Sequence, residues 1–151
     1  MGKEVRLKSA YIIKAERVVK NASGKITEVI CTYDPKSKSG SGSPESKRKV
    51  KGTLHWVSAS DGVPVEIREY DRLFKSEAPG AKGEDFLEEI NESSLKILNG
   101  IAEPSLKDSK IGENFQFQRK GYYTMDKDSN ESKLIFNKTV GLRDTWKKLS
   151  S

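Results

Sequence analysis

The chain has 151 residues, 34% hydrophobic and 33% charged, with a net charge of +6; this suits one domain, or two small barrels sharing strands, rather than a long disordered chain. One cysteine, Cys31, cannot make an internal disulfide, and Cys31 with the single His55 cannot close a zinc site unless carboxylates supply most of the ligands, so no metal is expected. The first residues hold no apolar signal core, and no apolar run approaches the roughly 20 residues of a membrane helix, so the expectation is a soluble cytoplasmic protein, monomeric and without a membrane partner.

The elements predicted in chain order are mostly strands, with a hydrophobic period of two. Val5 and Leu7 alternate with Arg6 and Lys8, and Tyr11-Ile12-Ile13 runs on to Val18-Val19. The turn cluster Asn21-Ala22-Ser23-Gly24 then leads into the β-branched stretch Ile26 to Tyr33, which predicts a hairpin. Residues 34–48 are rich in Ser, Gly and Pro and predict a mobile surface loop with lysines on both shoulders. Val50 to Ser58 predicts a strand, and Val63 to Phe74 another, with Pro64 at its start or on an edge. Asp85 to Ile90 is the one short helix expected. Leu95 to Leu98 predicts a strand, Phe115 to Tyr123 the clearest late strand, and Leu134 to Asn137 one that pairs back after the polar turn 126–132. Many short strands joined by polar turns predict an all-β fold, with the sheet closed into a barrel to remove exposed edges.

The charge is unevenly distributed. Residues 1–60 carry thirteen Lys and Arg against five Asp and Glu, residues 61–100 five against ten, and residues 101–151 ten against seven. A basic front of this kind suits a polyanion, although many cytosolic proteins with a similar charge bind none.

Catalytic motifs are missing. Ser39-Gly40-Ser41-Gly42-Ser43 lacks the Gly-Lys-Ser/Thr that would make it a phosphate loop, and no Gly-x-Ser-x-Gly elbow occurs. His55 beside Trp56 reads as a structural or surface histidine rather than a general base, and Glu88-Glu89 as a solvated helix face. Features that suit binding are present. Arg6, Lys8 and Lys14 lie with the aromatic Tyr11, while Gln116 and Arg119 flank Phe115 and Phe117 ahead of Tyr122-Tyr123. Single-stranded RNA needs cations for phosphates, planar groups for stacking, and amide or guanidinium donors for base edges. The same alternation equally suits a half-exposed sheet, with Phe115 and Phe117 in the core and Gln116 and Gln118 merely outside. Lys47-Arg48-Lys49-Val50-Lys51 could clamp phosphates or be a solvated loop shoulder.

A resemblance runs through these residues. Gly2 to Lys8, Ala10 to Lys14, Cys31 to Asp34, Lys49 to Ser58, Val65 to Arg68 with Tyr70 to Phe74, Glu103 to Asp108, Phe115 to Phe117, and Phe136-Asn137 with Thr139 to Trp146 resemble, in order, the C-terminal anticodon-binding region of glutaminyl-tRNA synthetase, a class I aminoacyl-tRNA synthetase. The resemblance implies a β-barrel of the type shared with a ribosomal RNA-binding protein, filling residues 1–151, with strands from about 115–148 returning to a second, partial barrel. It implies recognition of the tRNA(Gln) anticodon loop, in the same polypeptide as a catalytic domain that uses ATP and Mg to join glutamine to its tRNA. The HIGH-type and KMSKS-type motifs of that domain are not in this chain. The expectation is therefore a non-catalytic piece of a longer polypeptide, needing no cofactor itself, with Met1 standing where the family chain would continue.

Residue by residue, the resemblance gives Arg6 and Lys8 to the pocket for the first anticodon base. Gln116 and Arg119 fall to the middle base, read from between the barrels, and some readers of the third base would lie before Gly2. Lys8 stands where Arg also occurs and keeps the charge without the bidentate fork. Lys14, Lys49 and Lys51 are expected on the RNA backbone. Asp61-Gly62 departs from a frequent His-Ala and carries no assigned role. A stand-alone barrel binding ribosomal RNA and a purely structural domain supporting the catalytic half are the alternatives.

Overall fold

The computed structural model describes residues 2–81, 83 and 85–142, and the chain divides into two compact units, Met1–Trp56 and Val57–Ser151. The architecture is all-β, as expected. The first unit holds β1 (Glu4–Leu7), β2 (Ile12–Lys20), β3 (Ile26–Asp34) and β4 (Thr53–Leu54), paired in the order β3-β2-β1-β4. The second holds β5 (Val63–Tyr70), β6 (Leu95–Ala102), β7 (Asn114–Phe117), β8 (Gly121–Met125) and β9 (Leu134–Val140), in the order β6-β5-β9-β8-β7. Among the described residues these pairings make two open sheets, and none of them joins the two edges of either sheet. The strands β7 to β9 share their sheet with β5 and β6; the rest of the expected return, residues 143–148, lies outside the described residues, as does the 143–146 part of the resemblance.

The first unit is built on a long hairpin. β2 and β3 pair from Ile12↔Asp34 to Lys20↔Ile26, and the Asn21 side chain turns the chain by accepting from the Ser23 and Lys25 amides. Among the described residues Ile12 is its one buried large apolar side chain. The register puts Glu4, Arg6, Ile12 and Lys14 on one face, and residues 35–48 fold over part of it. This segment, expected as a mobile loop, contains two 3-10 turns, Pro35–Ser37 and Glu45–Lys47. Ser37 is fully buried, donating its hydroxyl to the Asp34 carbonyl at 2.6 Å and accepting the Ile12 amide at 2.8 Å. The strand expected over 50–58 is only Thr53–Leu54, because β4 finds partners only at Arg6 and Leu7 before the chain leaves the sheet.

The second unit has the denser core. Val63, Val65, Tyr123, Met125, Leu134 and Phe136 are buried together, and Phe115 and Phe117 pack on them. Phe136 sits at the centre, 5.7 Å from the Phe115 ring and 5.2 Å from Phe117. Pro64, the second residue of β5, lies one residue before β9 begins to pair, so its missing N–H costs that ladder nothing. On the outer face Glu66, Arg68, Asp126, Asp128 and Lys133 form an ion-pair network, with the Arg68 guanidinium 2.9 Å from both Glu66 and Asp128.

Two expectations need correction. The helix expected over 85–90 is a 3-10 turn, Phe86–Glu89, capped by the Asp85 carboxylate on the Leu87 amide. Six residues are too few to repay α-helix nucleation. The strand expected over 115–123 is two strands. The chain reverses over Gln118–Lys120, closed by the Lys120 amide on the Phe117 carbonyl at 2.9 Å, with Arg119 at φ 62°. Gly121, at φ 150°, completes the reversal; a Cβ there would lie 2.6 Å from the Val140 carbonyl oxygen.

Candidate nucleic-acid interface

Arg6 lies mid-strand in β1, opposite Ile12 on one side and Thr53 on the other. Its planar guanidinium reaches into the 35–48 segment. One terminal nitrogen donates to the Ser37 carbonyl at 2.9 Å and the Ser39 hydroxyl at 3.3 Å; the other donates to the carbonyls of Ser46 at 2.8 Å and Arg48 at 3.4 Å. Arg6 thus ties both 3-10 turns to the sheet. Arg48 fastens the far end of the segment through Asp34 at 3.1 Å and Glu4 at 3.2 Å.

Lys8 begins the reversal between β1 and β2, followed by Ser9 at φ 59°. Its amide donates to the Leu54 carbonyl and its carbonyl accepts the Trp56 indole N–H at 3.0 Å, so its backbone is held from the β4 side while the side chain is exposed. Trp56, 44% exposed, is a neighbour that the sequence reading did not connect to Lys8. Trp56 Nε1–H needs an acceptor when partly buried, and that general need was the only signal available. Lys49 and Lys51 are both exposed on the approach to β4. Lys14 is also exposed, but it pairs with Glu16 at 3.4 Å. Hydrogen bonds from Thr32 and then Lys14 hold the Glu16 carboxyl below the usual range.

In the second unit Gln116 and Arg119 lie on one hairpin. Gln116 is exposed, on the face opposite Phe115 and Phe117, as a half-exposed sheet would place them: the phenylalanines pack on the core and the amide points out. That same rigidity presents the amide. Its partner across the ladder is Tyr122, which is 45% exposed, while the adjacent Tyr123 is buried and stacks on Phe117 at 4.4 Å. Arg119 is exposed at the tip. Tyr122 was legible as one of two tyrosines, but only the reversal at Arg119 decides which of them faces outward.

Asp61 accepts from the Ser58 and Ser60 hydroxyls, which keep its carboxyl below the usual range. At Gly62 a Cβ would collide with the Ile101 side chain and the Ser58 carbonyl, so the glycine is a packing requirement. Among the described residues no group of three or more His, Cys, Asp or Glu could hold a metal ion, and no helix is long and apolar enough to cross a membrane.

Two family models match the chain, both described as the anti-codon binding domain of tRNA synthetases class I (E and Q), one over residues 1–34 and one over residues 53–126. The glutamine–tRNA ligase of Proteus mirabilis (strain HI4320) is 55% identical over 150 residues, covering 99% of this chain and 26% of the relative. The ligases of Escherichia coli (strain K12 / DH10B) and Shigella boydii serotype 18 are 57% identical over the same length and shares. The chain therefore spans about a quarter of the length of the curated relatives it matches.

Proposed function

We infer, from a chain that belongs to the anticodon-binding domains of the class I tRNA synthetases (E and Q), that it reads the anticodon loop of tRNA(Gln) on behalf of a glutamine–tRNA ligase. The identity over 99% of the chain carries this reading. The geometry supports it with the chemistry an unstacked loop requires. Cations on the first unit meet phosphates, and exposed amide and guanidinium groups on a rigid hairpin meet base edges.

Lys8 offers an ammonium to the first anticodon base from a backbone held at both its amide and its carbonyl. Arg6 lines the same pocket through its Nε–H and the flat guanidinium face, the parts its four loop bonds leave over. Gln116 and Arg119 read the middle base. Lys49 and Lys51 hold the RNA backbone, with Lys14 a weaker contributor because Glu16 offsets its charge. On this reading catalysis, with its ATP and Mg, belongs to a catalytic domain in the same polypeptide. The whole works as a cytoplasmic monomer.

The test is Gln116→Ala, titrated with a glutamine anticodon stem–loop and with one whose middle base is changed. Losing one base contact should cost about 1–3 kcal/mol on the cognate loop and much less on the other. Equal losses on both loops would remove Gln116 from base reading.

A further inference from the structure

We propose that Tyr122 is the platform on which the base read by Gln116 stacks. The inference rests on the reading of Gln116 above and extends it to a residue with no assigned role. The ladder places Gln116 directly opposite Tyr122, and Tyr122 opposite Val140 on its other side. Opposed side chains of an antiparallel pair stand about 5 Å apart at Cβ. Val140, Tyr122 and Gln116 therefore form a strip across three strands: an exposed aliphatic group, an exposed ring, and an amide at the end. Val140 is 56% exposed and Tyr122 45%.

The strip is rigid from beneath. Phe115, Phe117 and Tyr123 anchor the same two strands in the core, and the Thr139 hydroxyl donates to the Tyr122 carbonyl at 3.1 Å. Gly121 lets β9 approach immediately beside the tyrosine. The Tyr122 hydroxyl makes no hydrogen bond among the described residues, so its orientation is not explained by an internal polar partner. A flat apolar surface next to one amide suits an unpaired nucleobase: the ring takes the face and the amide takes the edge.

The experiment compares wild type, Tyr122→Phe and Tyr122→Leu of the full chain on two stem–loops, one intact and one abasic at the middle position. Tyr122→Leu is expected to weaken the intact loop about tenfold and to leave the abasic loop within about twofold, whereas Tyr122→Phe keeps wild-type affinity for both. Wild-type affinity of Tyr122→Leu for the intact loop, or equal weakening on both loops, overturns the platform while leaving Gln116 as a reader. If wild type itself binds the two loops equally, base reading at this hairpin fails, and the platform with it. Folded wild-type protein gives a second readout, with 2-aminopurine at the middle position. Its fluorescence should stay quenched on binding, and a rise to the level of a solvent-exposed base overturns the proposal.

Discussion

The two units reach order by different means. Met1–Trp56 carries the whole positive surplus, thirteen cations against five anions, and among its described residues buries one large apolar side chain, Ile12. Polar groups complete it: a buried serine, and an arginine whose four bonds tie 35–48 to the sheet. Val57–Ser151 packs an aromatic and aliphatic core and covers its outer face with paired charges. Thirteen cations face only five anions there, so few of them can be paired internally, and the 35–48 segment is held mainly by hydrogen bonds from Arg6 to uncharged groups, with Arg48 alone using carboxylates. The second can use carboxylates freely around Arg68, because its proposed contact is one amide and one guanidinium on a stiff hairpin.

The sharpest break of this contrast is Phe136→Ala. It removes the ring at the centre of the second core and should cost about 3–5 kcal/mol in urea unfolding. In the first unit one of the two fully buried side chains described, Ser37, is polar. Ser37→Ala leaves the Ile12 amide buried without its acceptor and should cost about 1–3 kcal/mol. If Ser37→Ala is neutral, the first unit does not depend on its buried hydrogen bonds.

Arg6→Lys comes next and separates the guanidinium fork from the charge. An ammonium cannot bridge four acceptors at once, so amide exchange should speed up over 35–48 and remain unchanged over β7 and β8. Unchanged exchange over 35–48 would deny Arg6 its tethering role.

The outer face of the second unit should show itself in acid. Hydrogen bonds from Lys133 and then Arg68 lower the Glu66 carboxyl, and the Asp128 amide followed by Asn137 lowers Asp126. A carboxyl lowered in the folded state stabilises it above the ordinary carboxylate range. That contribution is lost as pH falls through the folded value. The melting temperature should therefore fall on acidification below about pH 5, and Glu66→Gln should start lower at neutral pH and fall less steeply. Parallel curves for the two proteins would contradict the network's role. The smallest effect is at Arg119. Arg119→Gly relieves the left-handed backbone at φ 62°, roughly offsetting the added freedom of the unfolded chain, so stability should change by less than about 1 kcal/mol while the cognate loop binds more weakly.

The sequence showed strand positions well in β5, where alternation follows a half-buried face, and in β2 and β3 through their β-branched and aromatic residues. It failed at Phe115 to Tyr123, where the alternation runs unbroken through a reversal. The residue at the left-handed position is arginine rather than glycine or asparagine, so nothing in 118–120 signals a turn before Gly121. It also read 34–48 by composition alone; the serines that suggested mobility are the groups that hydrogen bond there, with Ser37 buried and Ser39 and Ser46 bound to Arg6. The candidate contacts Lys8, Gln116 and Arg119 were legible through residue type and resemblance. Trp56 and Tyr122 were visible as residues, but not the groups they face, the Lys8 carbonyl and Gln116, which only the fold sets.

The central claim is tested most directly by titrating the chain with a glutamine anticodon stem–loop across a salt series, beside a loop with the middle base changed. The account predicts affinity that falls steeply with salt and, at every salt concentration, favours the cognate loop by about tenfold or more. Steep salt dependence with equal affinity for the two loops would contradict it, leaving the cations of the first unit as a phosphate clamp and the hairpin of the second without a base to read.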